Sequence, residues 1–185
     1  MLAIVESAMK IYEFLSQSGA LFEARDWLAF EAEAQDMAGT LVPEDRLLRI
    51  GSVGLDEYVR SLQSMVRTAE GRVSEFEGVE ALYWEFDPDN NWASGIDYCA
   101  SFTREDPDWA ADSVGWETGP DLPQFAEIYG ETGFSGSPLA DGSTVLLFAR
   151  TLASFGRAYE AEGRGGLPVG AAFHDSDRIL MVAPR

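Results

Sequence analysis

The stretch Val79-Glu-Ala-Leu-Tyr-Trp-Glu-Phe86, the segment Asp87-Pro-Asp-Asn-Asn-Trp92 and the run Gly95-Ile-Asp-Tyr-Cys-Ala-Ser-Phe102 decide how this chain is built. The first run is rich in aromatic and β-branched residues. In the second, Ile96, Tyr98, Ala100 and Phe102 fall on one face of a strand, with Asp97, Cys99 and Ser101 on the other. Between them, Asp and Asn side chains bond their own backbone and Pro88 fixes φ, which is turn chemistry. The spacing predicts an antiparallel hairpin with a longer loop.

Working outward, the period on the N-terminal side is helical. Leu2, Val5, Met9, Tyr12 and Leu15 predict an amphipathic helix over 2–17, with Gly19 as its stop. A second helix is expected over 21–38, carrying Leu21, Phe22, Trp27, Leu28 and Phe30. A third is expected over 55–70 on Leu55, Val59, Leu62, Val66 and Ala69, and 43–50 reads as a short helical turn. On the C-terminal side, 103–142 is rich in Pro, Gly and Asp, with one short helix expected near 121–130. Asp141-Gly-Ser143 offers a cap for a long helix to Glu162, striped by Phe148, Leu152, Phe155 and Tyr159. Gly163-Arg-Gly-Gly166 reads as a helix stop and turn. Leu167–Phe173 and Arg178–Ala183, joined by His174-Asp-Ser-Asp177, predict a second hairpin. The expected fold is α+β: an antiparallel sheet built from two hairpins, with the N-terminal helices and the long helix packed on one face, in one domain over 1–185.

Composition narrows the partners. The 185 residues hold 13 Lys+Arg against 32 Asp+Glu, a net charge of −19. Nucleic acid and anionic lipid both need cations to meet their phosphates, so neither is expected as a partner. The opening run Met1-Leu-Ala-Ile-Val5 is too short for a signal peptide, and one cysteine, Cys99, closes no internal disulfide. A reducing, cytoplasmic setting is expected. With a single His, His174, zinc sites of several His and Cys ligands are not available, and no phosphate-binding or nucleophile-elbow motif is present. No cofactor and no metal are expected.

The acidity is concentrated. Residues 70–131 carry 16 acids against Arg72 and Arg104, a net −14, together with Trp84, Trp92, Trp109 and Trp116. Trp84, Phe86, Tyr98 and Phe102 read as sheet core. Trp92, Trp109 and Trp116, in predicted loops among acids, read either as core or as aromatic anchors of an interface. The expected partner-binding surface is therefore Asp87, Asp89, Trp92, Glu105, Asp106, Asp108, Trp109, Asp112 and Trp116. Such a surface steers a basic protein by charge and holds it by its indoles.

Three further constellations carry chemistry. Asp87, Asp89 and Asn91 space oxygens like a calcium loop, but Trp92 occupies the position needing Gly and Tyr98 the position needing Glu, so a capped turn is expected. Glu105, Asp106, Asp108 and Asp112 cluster carboxylates that could serve hydrolysis, with Trp109 and Trp116 as sugar platforms. The alternative is a solvated acidic loop. Cys99 and His174 would pair only if their strands were neighbours.

The run from Ala81 to Trp92, followed by Asp108-Trp109, resembles small bacterial immunity proteins of polymorphic toxin systems. The resemblance covers roughly a quarter of the chain. It implies an acidic, cytoplasmic, non-enzymatic α+β domain that binds and blocks a toxin, and it transfers no site residue position by position. The functional expectation is an immunity-type inhibitor of a basic toxin or other basic protein. The alternatives are a small hydrolase or glycan-active enzyme, and a soluble domain whose acidity only maintains solubility.

Overall fold

The computed structural model describes residues 2–183, with side chains from Lys10 onward apart from Pro107. The expected stripe positions Leu2, Val5 and Met9 thus lie outside the described side chains. The fold is α+β. Helix α1 (Leu2–Glu23) runs through Gly19 rather than stopping there. A Cβ at Gly19 would lie 3.2 Å from Leu180 Cδ2, so the glycine permits close approach to the C-terminal strand. The break comes at Arg25, with φ of +62°, and the Asp26 side chain then caps α2 (Trp27–Gly39), accepting from Ala29 N–H at 3.1 Å. Leu21 and Phe22 accordingly belong to α1. The expected turn at 43–50 is a nine-residue helix, α3 (Glu44–Ser52), followed by α4 (Asp56–Arg72).

Strands β1 (Ala81–Asp87) and β2 (Ala93–Cys99) form the expected hairpin, with Ala81 opposite Cys99 and Asp87 opposite Ala93. A strand not expected from the sequence, β3 (Ser113–Thr118), adds to β2. Helix α5 (Pro123–Gly130) lies where a short helix was expected. Helix α6 (Pro138–Glu162) starts one turn before the expected cap: Ser137 accepts from Ala140 N–H at 3.1 Å, Pro138 fills the first turn, and Asp141 lies inside the helix. Strands β4 (Val169–Phe173) and β5 (Leu180–Ala183) form the second hairpin.

The sheet order is β3-β2-β1-β4-β5. The two hairpins meet through β1 and β4, which run parallel, so the sheet is mixed where an all-antiparallel one was expected. The long excursion through β2, β3, α5 and α6 makes that pairing feasible, since parallel neighbours need a crossover. One face of the sheet packs on α6. Trp84 stacks on Phe155 with ring centroids 4.3 Å apart and planes 3° from parallel, and Phe86 meets Phe148 edge to face at 5.1 Å. From Ala140 to Tyr159 every residue of α6 except Arg150 and Arg157 is buried. This helix is the centre of the molecule rather than an amphipathic cover, with α1, α2 and α4 packed around it. Arg46 on α3 ties it to its surroundings, donating to Ser143 Oγ at 3.0 Å, to the Ile128 carbonyl at 2.7 Å and to Glu131 at 2.5 Å.

The opposite face is covered at one end only. There Ala81, Tyr83, Cys99 and Ala172 pack under Trp109, with Phe102, Ala110 and Ile179 alongside. The other end of that face is open. Among the described residues no helix is long and apolar enough to cross a membrane.

Candidate functional site

Strand alternation builds the open end. Leu82, Trp84 and Phe86 of β1 enter the core, so Tyr83, Glu85 and Asp87 point the other way. The register sets Asp97 opposite Tyr83, Gly95 opposite Glu85 and Ala93 opposite Asp87 on β2, and Trp116 of β3 opposite Asp97. Gly95 and Ala93 supply almost no side chain. A hollow of about 220 Å³ results, lined by Glu85, Asp87, Asp97, Trp116 and His174. A Cβ at Gly95 would lie 3.9 Å from Trp116 Cε3, so the indole borders the floor of the hollow, and it is 65% exposed. Glu85 and Asp97 occupy diagonal positions of an antiparallel pair, ~7–8 Å apart by strand geometry.

The carboxylates are oriented. Tyr83 Oη donates to Glu85 Oε2 at 3.3 Å, and His174 Nδ1 lies 3.3 Å from Glu85 Oε1. The His174 backbone N–H donates to the Phe86 carbonyl at 2.8 Å, which holds the end of β4 beside β1. Ser113 Oγ donates to Asp97 Oδ1 at 2.7 Å. Burial raises the Asp97 carboxyl above its ordinary value against the opposing effect of that hydrogen bond. For His174, burial pulls downward, but the Glu85 hydrogen bond and the charges of Glu85, Asp175 and Asp87 outweigh it, and its pKa is raised.

A second hollow, of about 310 Å³, shares Asp87 and His174 with the first. It lies at the carboxyl ends of the parallel strands β1 and β4, with Tyr12 of α1, Tyr129 of α5, Phe134 and Phe173 as walls. Burial and the charges of Asp89 and Asp87 push the Tyr129 phenol up to about 12. The Tyr12 phenol is raised too, by burial and by Asp177 and Asp175.

The expected surface residues divide sharply. Asp87, Asp89 and Trp116 lie at this open end, with Asp87 Oδ1 accepting the Asp89 N–H at 3.0 Å as the turn chemistry required. Trp92 does not join them. Asn91 and Trp92 take φ of +54° and +60°, which folds the chain back, and the indole is fully buried against Phe86, Phe125 and Phe148. Its Nε1–H donates to Thr151 Oγ1 at 2.9 Å. Trp109 is 5% exposed, edge to face with Tyr83 and Phe102, and closes the smaller core. An anchor role for Trp92 and Trp109 is therefore corrected: both indoles are core, where a large apolar ring gains most from leaving water.

Glu105, Asp106, Asp108 and Asp112 are all exposed, and none lines either hollow. Asp106 is used locally, capping a 3₁₀ turn by accepting the Asp108 N–H at 3.1 Å. Cys99 and His174 do not pair, because β1 lies between their strands. The Cys99 thiol is buried, bonds the Ala110 carbonyl at 3.8 Å, and is pushed up to about 12 by burial and by the charges of Asp97 and Asp112. Among the described residues no group of three or more His, Cys, Asp or Glu is gathered as a metal-ligand set.

Glu85 and Asp97, with Tyr12 and Tyr129, are the site residues that sequence reasoning passed over. The strand pair was legible in part, since Tyr83-Trp-Glu-Phe-Asp87 alternates and its non-core set is acidic. The tyrosines were not, because α1 and α5 reach this end only through tertiary packing. Comparison with protein-family models, with characterised proteins and with solved structures found no match.

Proposed function

We propose that this chain is a cytoplasmic binding protein for a basic protein partner, an immunity-type inhibitor that seats its target on the open sheet face around Trp116. The observation that carries this reading is an indole 65% exposed beside a hollow lined by Glu85, Asp87 and Asp97. An exposed tryptophan next to carboxylates accepts an arginine or lysine side chain twice over, through its π face and through the ion pair. A cation over an indole is worth about 0.5–2 kcal/mol, more as water is excluded. The carboxylates of Glu105, Asp106, Asp108 and Asp112 extend the negative field and steer encounter without forming part of the hollow. Inhibition would be steric and electrostatic, with no chemistry on this chain.

A second reading, a glycan-active carboxylate pair, is favoured by the raised Asp97 carboxyl, which lines the same hollow as Glu85. Size supports the first reading. About 220 Å³ is below the ~300–1,000 Å³ of ordinary small-molecule sites and suits one side chain better than a saccharide.

The test is calorimetric binding of basic proteins encoded beside this gene, at low and high salt. Trp116→Ala should weaken binding at least about tenfold, and Asp97→Asn with Asp87→Asn should flatten its salt dependence. Binding indifferent to Trp116, or no basic neighbour bound at low salt, would overturn the proposal. Turnover of aryl glycosides that Asp97→Asn abolishes would establish the second reading instead.

A further inference from the structure

The second hollow has the composition of a cage for an organic cation, and its four rings lie outside the sheet face proposed above, although it shares Asp87 and His174 with the first hollow. Tyr12 and Phe134 flank Phe173 at 5.9 and 6.0 Å, tilted by 49° and 48°, so the three rings form a corner rather than a stack. Tyr129 adds a fourth ring from α5. Both phenols are raised above their ordinary value and stay protonated at neutral pH.

The rim is acidic. Asp87, Asp89 and Asp175 line the hollow together with these rings and His174, and among the described residues no Lys or Arg does. Phe134 is held in place although it lies on a loop: Thr144 Oγ1 donates to its carbonyl at 2.9 Å, and Gly133 and Gly136 on either side take φ of +73° and +110°.

We propose that this hollow binds a quaternary or N-methylated ammonium group. Aromatic faces with nearby carboxylates favour a cation whose charge is spread over methyl groups, because such a cation loses little hydration on entering an apolar corner. A metal ion would need its oxygen ligands gathered into one shell, and among the described residues no three acidic, His or Cys side chains are gathered as a metal-ligand set. The cation could be a free small molecule or a trimethylated lysine side chain, and the two present the same head group.

The experiment titrates the whole chain by calorimetry and amide NMR at about pH 8, where His174 carries less charge. The probes are choline, its neutral carbon isostere dimethylbutanol, and a peptide bearing trimethyllysine. A methylammonium probe should bind about tenfold or more tightly than the isostere and shift amides around Phe134 and Asp89. Phe134→Leu, which keeps apolar volume but removes the ring, should cost about tenfold, and Asp89→Asn about threefold. Choline binding tighter than the peptide identifies a free ligand, and the reverse identifies a side chain. Equal binding of dimethylbutanol and choline, indifference to both substitutions, or no binding by either cation overturns the proposal. None of these outcomes depends on Trp116, so this site and the sheet-face reading fail separately.

Discussion

His174 Nδ1 lies 3.3 Å from Glu85 Oε1, at the edge shared by the two hollows. It is the single histidine of the chain, so its titration is one resolved event. Its pKa is raised in the folded state. The stability it contributes is therefore fully present below the unfolded value of ~6.5 and is lost as pH rises through the folded value. Glu85→Gln should move the imidazole midpoint downward in a proton NMR titration. A midpoint that does not move would show that the pair is not coupled in solution. Protonation also places a positive charge on the acidic face, so a basic partner should bind more weakly below the His174 midpoint than above it.

The tryptophans separate by role. Trp92 is fully buried, so Trp92→Ala should cost about 3–5 kcal/mol in urea denaturation. Thr151→Val leaves the indole N–H without its partner at constant shape and should cost about 1–3 kcal/mol. Trp116→Ala should change stability by no more than about 0.5 kcal/mol, because its ring is mostly in water. A large loss from Trp116→Ala would mean that its effect on binding cannot be read as an interface contact.

Gly156 tests the packing of α6. Glycine to alanine within a helix ordinarily stabilises by about 0.5–1 kcal/mol. A Cβ here would lie 2.5 Å from the Trp27 ring, whose Nε1–H is held at 2.8 Å by Glu160. Overlap should win, and Gly156→Ala should lower stability by about 1–3 kcal/mol, measured as a fall in Tm. A rise in Tm would show that α2 can move away at little cost.

Cys99 should be inert. Its thiol is buried and pushed up to about 12, leaving little thiolate at neutral pH. A chromogenic disulfide reagent should label the native protein only at the rate of unfolding and the denatured protein at once. Fast labelling of the native state would mean that the loop carrying Trp109 opens.

Much of the architecture was legible because it is local. Period two in Gly95–Cys99 and the Asp-Pro-Asp-Asn-Asn turn identify the hairpin, and the apolar spacing in 55–70 identifies α4; the expected continuation to Phe102 fails, because β2 ends at Cys99 and Phe102 packs in the smaller core on the other face. Strand β3 was not legible: Ser113-Val-Gly-Trp-Glu-Thr118 is short, mostly exposed and carries a glycine, so its strand character comes from pairing with β2. Gly19 misled for the same reason, since its role is contact with Leu180 and not helix termination.

The candidate site divides along the same line. The sequence by itself determined the −14 segment, its four tryptophans and the alternation that sends Glu85, Asp87 and Asp97 away from the core. Only the tertiary structure decided that Trp92 and Trp109 are core while Trp116 is free, and that Tyr12, Tyr129, Phe134 and Phe173 meet at one corner. Charge and period are properties of residues and near neighbours, so they can be read along a chain. Exposure depends on what else packs against a ring, and here that is set by the parallel pairing of β1 with β4 and by α6 filling the centre.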